Sequence, residues 1–182
     1  MTDPRADEGK ADTPIATGRF LSLVSRNGWE FATRVNARGV VAVVATTEAN
    51  ELVLVEQFRP PVGRAVIEVP AGLVGDDPRA GDEGEVEAAR RELLEETGYV
   101  AREMIPAGRF VSSAGLSDET VGFYLARSVR RESTGGGVGG ERITVHCVPM
   151  NVVRSWLRDA VANGLGVDAK VLTGLELLRE TP

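Results

Sequence analysis

The apolar run Val40-Val41-Ala42-Val43-Val44-Ala45 is followed, after the polar stretch 46–50, by the apolar-rich stretch 51–57. These read as two strands, 39–45 and 51–57. Upstream, 19–24 and 29–35 flank Ser25-Arg26-Asn27-Gly28, and Asn-Gly is a strong hairpin turn signal. A short strand over 65–69 leads into a turn-rich loop and a helix over 84–97. Further strands are expected at 109–112, 120–126 and 142–149. Two helices close the chain, with Val153, Trp156, Leu157 and Ala160 as the buried stripe of the first. Val171, Leu172, Leu175 and Leu178 supply that of the second. Strands interrupted by one helix and ended by two more predict an α/β fold, a mixed sheet covered on both sides.

A chain of 182 residues, 42% hydrophobic and 26% charged, fits one domain able to bury its own core. The net charge of −6 argues against a nucleic-acid partner, which calls for a basic face. No apolar run reaches the ~18–20 residues of a membrane span. The single cysteine, Cys147, excludes an internal disulfide and fits a reducing, cytoplasmic setting. Residues 1–16 are expected to be a disordered tail. The glycine run Ser133-Thr134-Gly135-Gly136-Gly137-Val138-Gly139-Gly140 lacks the Gly-Lys-Ser/Thr of a phosphate loop. It is read as a mobile loop between strands.

The chemistry concentrates in Arg91-Glu92-Leu93-Leu94-Glu95-Glu96-Thr97-Gly98-Tyr99. Helical spacing stacks Glu92, Glu95 and Glu96 on one face, with Glu85 on the same side. Like charges at i, i+4 cost a few tenths of a kcal/mol, and acids near a helix C-terminus oppose its dipole. A divalent cation on hard oxygen ligands would offset that cost; a solvated acidic face is the plainer alternative. Val86, Ala89 and Leu93 form an apolar stripe beside the acids, anchoring that side in a core. Gly98 falls where a left-handed C-cap is wanted. Arg59 ends a strand near this loop, either as a surface arginine or as a fork for phosphate oxygens. Trp29 is either core or a stacking platform for a nucleobase, with Glu30 and Arg34 able to bond the base's edge. His146, the only histidine, sits inside a strand pattern and is read as structural.

Glu83, seven residues, and Arg91 to Tyr99 resemble the Nudix box, G-x5-E-x7-R-E-U-x-E-E-x-G-U. Every fixed position from Glu83 onward matches. The opening glycine is read as Gly72, with ten residues (73–82) before Glu83 where the pattern has five; a loop absorbs this cheaply. Trp29-Glu30-x3-Arg34, Gln57-Phe58-Arg59-Pro60-Pro61, Ile67-Glu68-Val69-Pro70-Ala71-Gly72 and Val167-Asp168-Ala169-Lys170 extend the likeness to the ADP-ribose (ADP-sugar) pyrophosphatase branch. Ala114 stands where that branch has a proline.

The resemblance implies an α/β/α Nudix sandwich over 39–182. Strands over 17–38 would be exchanged in a homodimer, where they help bind the base. It implies Glu92, Glu95, Glu96 and the Ala71 carbonyl as ligands of two or three Mg2+ ions, with Mn2+ able to substitute. Trp29, Glu30, Arg34, Arg59 and Glu68 would bind substrate. Glu92 and Glu96 would act in catalysis with Glu141, the best match to the catalytic base on a mobile loop, and Glu132 as fallback. Glu83 and Arg91 would position the box. The implied substrate is a small nucleoside diphosphate sugar, ADP-ribose giving AMP and ribose 5-phosphate. UDP-glucose, a GDP-sugar or a dinucleoside polyphosphate are alternatives within the same chemistry, and a non-catalytic nucleotide-sensing module lies outside it.

Overall fold

The computed structural model describes residues 12–75 and 82–180. Three strands, β1 (Thr13–Thr17), β2 (Leu21–Arg26) and β3 (Trp29–Arg34), form a separate antiparallel sheet in that order. The β2–β3 turn is the expected one: Asn27 and Gly28 both take positive φ, 56° and 81°, as a two-residue hairpin requires. The expected tail over 1–16 needs correcting, because Thr13–Thr17 pairs with β2. All five β1 residues are exposed, so this edge strand has no buried face to imprint a pattern. Residues 1–11 lie outside the described residues.

β4 (Gly39–Thr47) is the centre of the second sheet. Val40, Ala42 and Val44 face one core, while Val41, Val43 and Ala45 face the other. Alternate residues of a strand point to opposite faces, so the unbroken apolar run 40–45 needs a layer on each side. β5 (Glu51–Arg59), β6 (Arg64–Glu68) and β7 (Ala71–Val74) follow, then β8 (Tyr99–Val100), β9 (Ile105–Val111), β10 (Thr120–Arg131), β11 (Ile143–Pro149) and β12 (Gly166–Val167). The sheet runs β12-β6-β5-β4-β10-β8, with β7 on β4, β9 on β10 and β11 on β5. It is mixed: β10 is parallel to β4 and β12 to β6, and the other pairings are antiparallel.

Helix α1 (Glu85–Thr97) covers one face through Ala88, Ala89 and Leu93. Helices α2 (Val153–Ala162) and α3 (Ala169–Glu180) cover the other through Leu157, Ala160, Val171, Leu175 and Leu178. The result is the expected α/β/α sandwich. Leu172 is 54% exposed and leaves the expected stripe; Gly174 takes its place, buried where α3 approaches Val44 so closely that a Cβ would lie 2.8 Å from Cγ2. Among the described residues, no helix is long and apolar enough to cross a membrane.

The glycine run is not the free loop its composition suggests. Gly136 N–H donates to the Glu96 carbonyl at 2.9 Å and Gly137 N–H to the Glu95 carbonyl at 3.0 Å. The Gly98 carbonyl accepts from Glu132 and Ser133 N–H at 2.8 and 3.0 Å. The last carbonyls of a helix have no intrahelical donor, and this segment supplies them. A Cβ at Gly135 would fall onto the Thr97–Gly98 backbone, so the close approach requires glycine.

Candidate active site

The box loop and α1 are held by one arginine. Arg91 Nε and Nη2 donate to the two Glu83 carboxylate oxygens at 2.9 and 3.1 Å. Its Nη1 donates to Glu92 at 2.7 Å and Glu95 at 3.1 Å, and Nη2 also to the Leu73 carbonyl at 3.1 Å. These partners, led by Glu83, push the guanidinium pKa further up. Arg38 N–H donates to the Val74 carbonyl and its side chain pairs with Asp82 and the Glu83 carbonyl. Both ends of the lengthened loop are therefore tied; residues 76–81 lie outside the described residues. Gly98 closes α1 with φ 75° and donates to the Leu94 carbonyl at 2.8 Å. Gly72 has a steric role, since a Cβ there would occupy the space of the Glu92 carboxylate.

A cavity of about 770 Å3 opens beside α1, and Glu92, Glu96, Glu68 and Glu141 all line it. Glu92 and Glu96 are buried. Glu96 accepts the Ala71 N–H at 3.2 Å, but burial, then the Glu92 and Glu141 carboxylates, push it up to about 8. Among the described residues, no three carboxylate, imidazole or thiol groups stand together as a ready metal-ligand set; Glu92 and Glu95 instead rest on Arg91. Glu96, buried beside the Glu92 carboxylate that Gly72 leaves room for, nonetheless offers with Glu92 the oxygen donors that suit a hard divalent ion.

The raised Glu96 pKa has a testable sign. An unfolded glutamate titrates near 4.5, so between 4.5 and about 8 the metal-free native state holds the extra proton. The stabilisation is full below 4.5 and is lost as pH rises through about 8. Melting in chelator should therefore show Tm falling from pH 5 to pH 9, and Glu96→Gln should flatten the fall. An identical slope in the variant would refute this.

Glu141 lies where the glycine run enters β11, with its backbone N–H on the Val138 carbonyl and Oε2 accepting the Val138 N–H at 3.1 Å. Glu132 does not line the cavity; it pairs with Arg130 at 3.5 Å. Glu85 shares the helix side of Glu92 but does not line the cavity, held instead by Arg109 and by the Tyr124 hydroxyl at 3.1 Å. Arg59 lines the cavity and forks onto Glu68, Nε to Oε1 at 2.5 Å and Nη2 to Oε2 at 2.9 Å. Glu68 is thus a buried counter-ion whose carboxylate orients Arg59. Arg34 also lines the cavity, paired with Glu119 at 2.5 Å. Trp29 is 64% exposed and borders a separate cavity of about 310 Å3 with Phe31, Ala114 and Asp118; Glu30 lines neither. His146 lies outside both, on Glu56 at 3.0 Å and against Trp156. Arg64, Glu119, Asp168 and Lys170 also line the large cavity. Sequence spacing gave no role to Arg64 or Glu119, because only strand register and loop docking bring them in.

Residues 35–154 match the model of the NUDIX domain. The chain belongs to the Nudix family. It is 38% identical over 102 residues to the methanol dehydrogenase activator of Bacillus methanolicus, covering 55% of this chain and 51% of that one. It is 41% identical over 91 residues to the ADP-ribose pyrophosphatase of Bacillus subtilis, covering 50% and 46%. The chain thus spans about half the length of these two relatives. The ADP-sugar pyrophosphatase of Mus musculus is 34% identical over 167 residues, 85% of this chain and 70% of that one. A solved structure described as an ADP compounds hydrolase shares the fold, with TM-score 0.69 and 22% identity over 93% of this chain and 90% of that one.

Proposed function

We propose that this Nudix protein hydrolyses the diphosphate of ADP-ribose or a related nucleoside diphosphate sugar in a reaction that depends on divalent metal. The observation that carries this reading is one cavity shared by Glu92, Glu96, Glu141 and the Glu68-oriented Arg59. The names of the Bacillus subtilis and Mus musculus relatives support the substrate class.

Glu92 and Glu96, with Glu95 and the Ala71 carbonyl, would hold two or three Mg2+ ions, or Mn2+ in their place. Such ions supply charge neutralisation of the diphosphate and acidification of a water. Arg59 grips a phosphate with the part of its fork that Glu68 leaves open. Glu141 takes the proton of the attacking water as the water oxygen bonds to one phosphorus and the bridging P–O bond breaks. From ADP-ribose the products are AMP and ribose 5-phosphate. Arg91 acts at a distance, fixing Glu92 and the box loop.

Trp29 and Glu30 do not line the large cavity of their own chain. The β1–β3 sheet exposes Ile15, Phe20, Leu21, Leu23 and Trp29, an apolar surface that supports a homodimer in which residues 17–38 of one copy complete the base site of the other. Light scattering should then give about twice 19.4 kDa.

A panel of ADP-, UDP- and GDP-sugars and dinucleoside polyphosphates tests the substrate. ADP-ribose should be cleaved fastest, and Trp29→Ala should raise its KM roughly 10-fold, the loss of one base stack. Faster cleavage of UDP- or GDP-sugars would overturn the adenine site and leave the hydrolysis standing.

A further inference from the structure

The geometry points to Arg64 as a second arginine for the substrate's diphosphate, facing Arg59 across the β5–β6 hairpin; this rests on the reading of the large cavity as a nucleoside diphosphate site. In the antiparallel register Arg59 stands directly opposite Arg64. Directly opposed residues project from the same face of a sheet, and both arginines line the cavity. Like charges in that relation are destabilising. The turn between them is stiff, with Pro60 and Pro61 in a 3-10 turn and Gly63 N–H returning to the Arg59 carbonyl at 3.0 Å. The chain therefore sets both arginines on one cavity wall, where one anion could accept hydrogen bonds from each.

The four cations of the cavity differ in what they have left to give. Arg34 is engaged by Glu119, Arg59 by Glu68 and Lys170 by Asp168 at 2.6 Å. Arg64 is exposed and, among the described residues, makes no ion pair or side-chain hydrogen bond. Arg59 faces the ligand as half of a neutralised pair. Arg64 faces it as a full positive charge with all five donors open. A diphosphate has two phosphoryl groups to satisfy, and paired arginines match it better than one. Arg64 is a positioning and binding residue, remote from the proton transfer given to Glu141.

Calorimetric titration with ADP-ribose carrying a methylene bridge between its phosphorus atoms reads binding without turnover. Arg64→Gln should weaken affinity about 10- to 100-fold, the range for charge-assisted hydrogen bonds. Arg64→Lys should recover part of it as a point charge lacking the fork. With ADP-ribose itself, Arg64→Gln should raise KM more than it lowers kcat. Its Tm should stay at the wild-type value, because Arg64 is exposed and, among the described residues, has no side-chain partner to lose. Wild-type affinity in Arg64→Gln would overturn the role of Arg64 alone. Affinity lost only together with a lowered Tm would make the arginine structural and overturn it too. A wild-type protein that fails to bind the analogue would overturn the cavity reading itself, and Arg64 with it.

Discussion

Glu96→Gln should lower metal-dependent turnover on the order of 10^3-fold, about 4 kcal/mol of transition-state stabilisation, while the protein stays folded. Glu96 is 7% exposed and its carboxylate accepts the Ala71 N–H. A glutamine oxygen can accept that same N–H, and the amide fills the same volume. The substitution removes only the ability to become a carboxylate. Burial and two neighbouring acids already oppose that charge, so metal-free stability above pH 8 should rise slightly. Steady-state rates and melting curves on one preparation check both halves. Turnover and folding lost in step would make Glu96 a core residue and remove it from the site.

Arg91→Ala should give the largest loss of stability of any single change at this site, about 3–5 kcal/mol. The Arg91 side chain is 18% exposed, and its partners Glu83 and Glu92 are 6% and 11% exposed. Truncation would leave two nearly buried carboxylates without their guanidinium and release the Leu73 carbonyl from its donor. At roughly 2–4 °C per kcal/mol for a chain of this size, Tm should fall by about 10 °C. Lysine at 91 should recover only part, since one ammonium cannot reach Glu83, Glu92, Glu95 and Leu73 together. A Tm within about 2 °C of wild type would mean that the box is held by packing alone.

Much of the frame was legible because burial leaves a period. β4 is apolar without a break from Val40 to Ala45 since both faces are covered, and the Asn27-Gly28 turn needs positive φ that few other residues offer. Glu92 and Glu96 could be read from helical spacing. β1 could not, as an all-exposed edge strand, nor could β8 and β12, each two residues long and too short to alternate. The glycine run revealed its freedom but not the Glu95 and Glu96 carbonyls that use it. Arg64 was hidden for another reason. Its meaning depends on standing opposite Arg59, and register is a property of two strands together.

Hydrolysis by the carboxylate cavity is tested most directly by incubating the purified protein with ADP-ribose, with Mg2+ or with chelator, and identifying the products by phosphorus NMR. AMP and ribose 5-phosphate formed only with Mg2+ is the predicted result. Bound but uncleaved ADP-ribose, with metal present, would contradict it and make the protein a nucleotide-binding module.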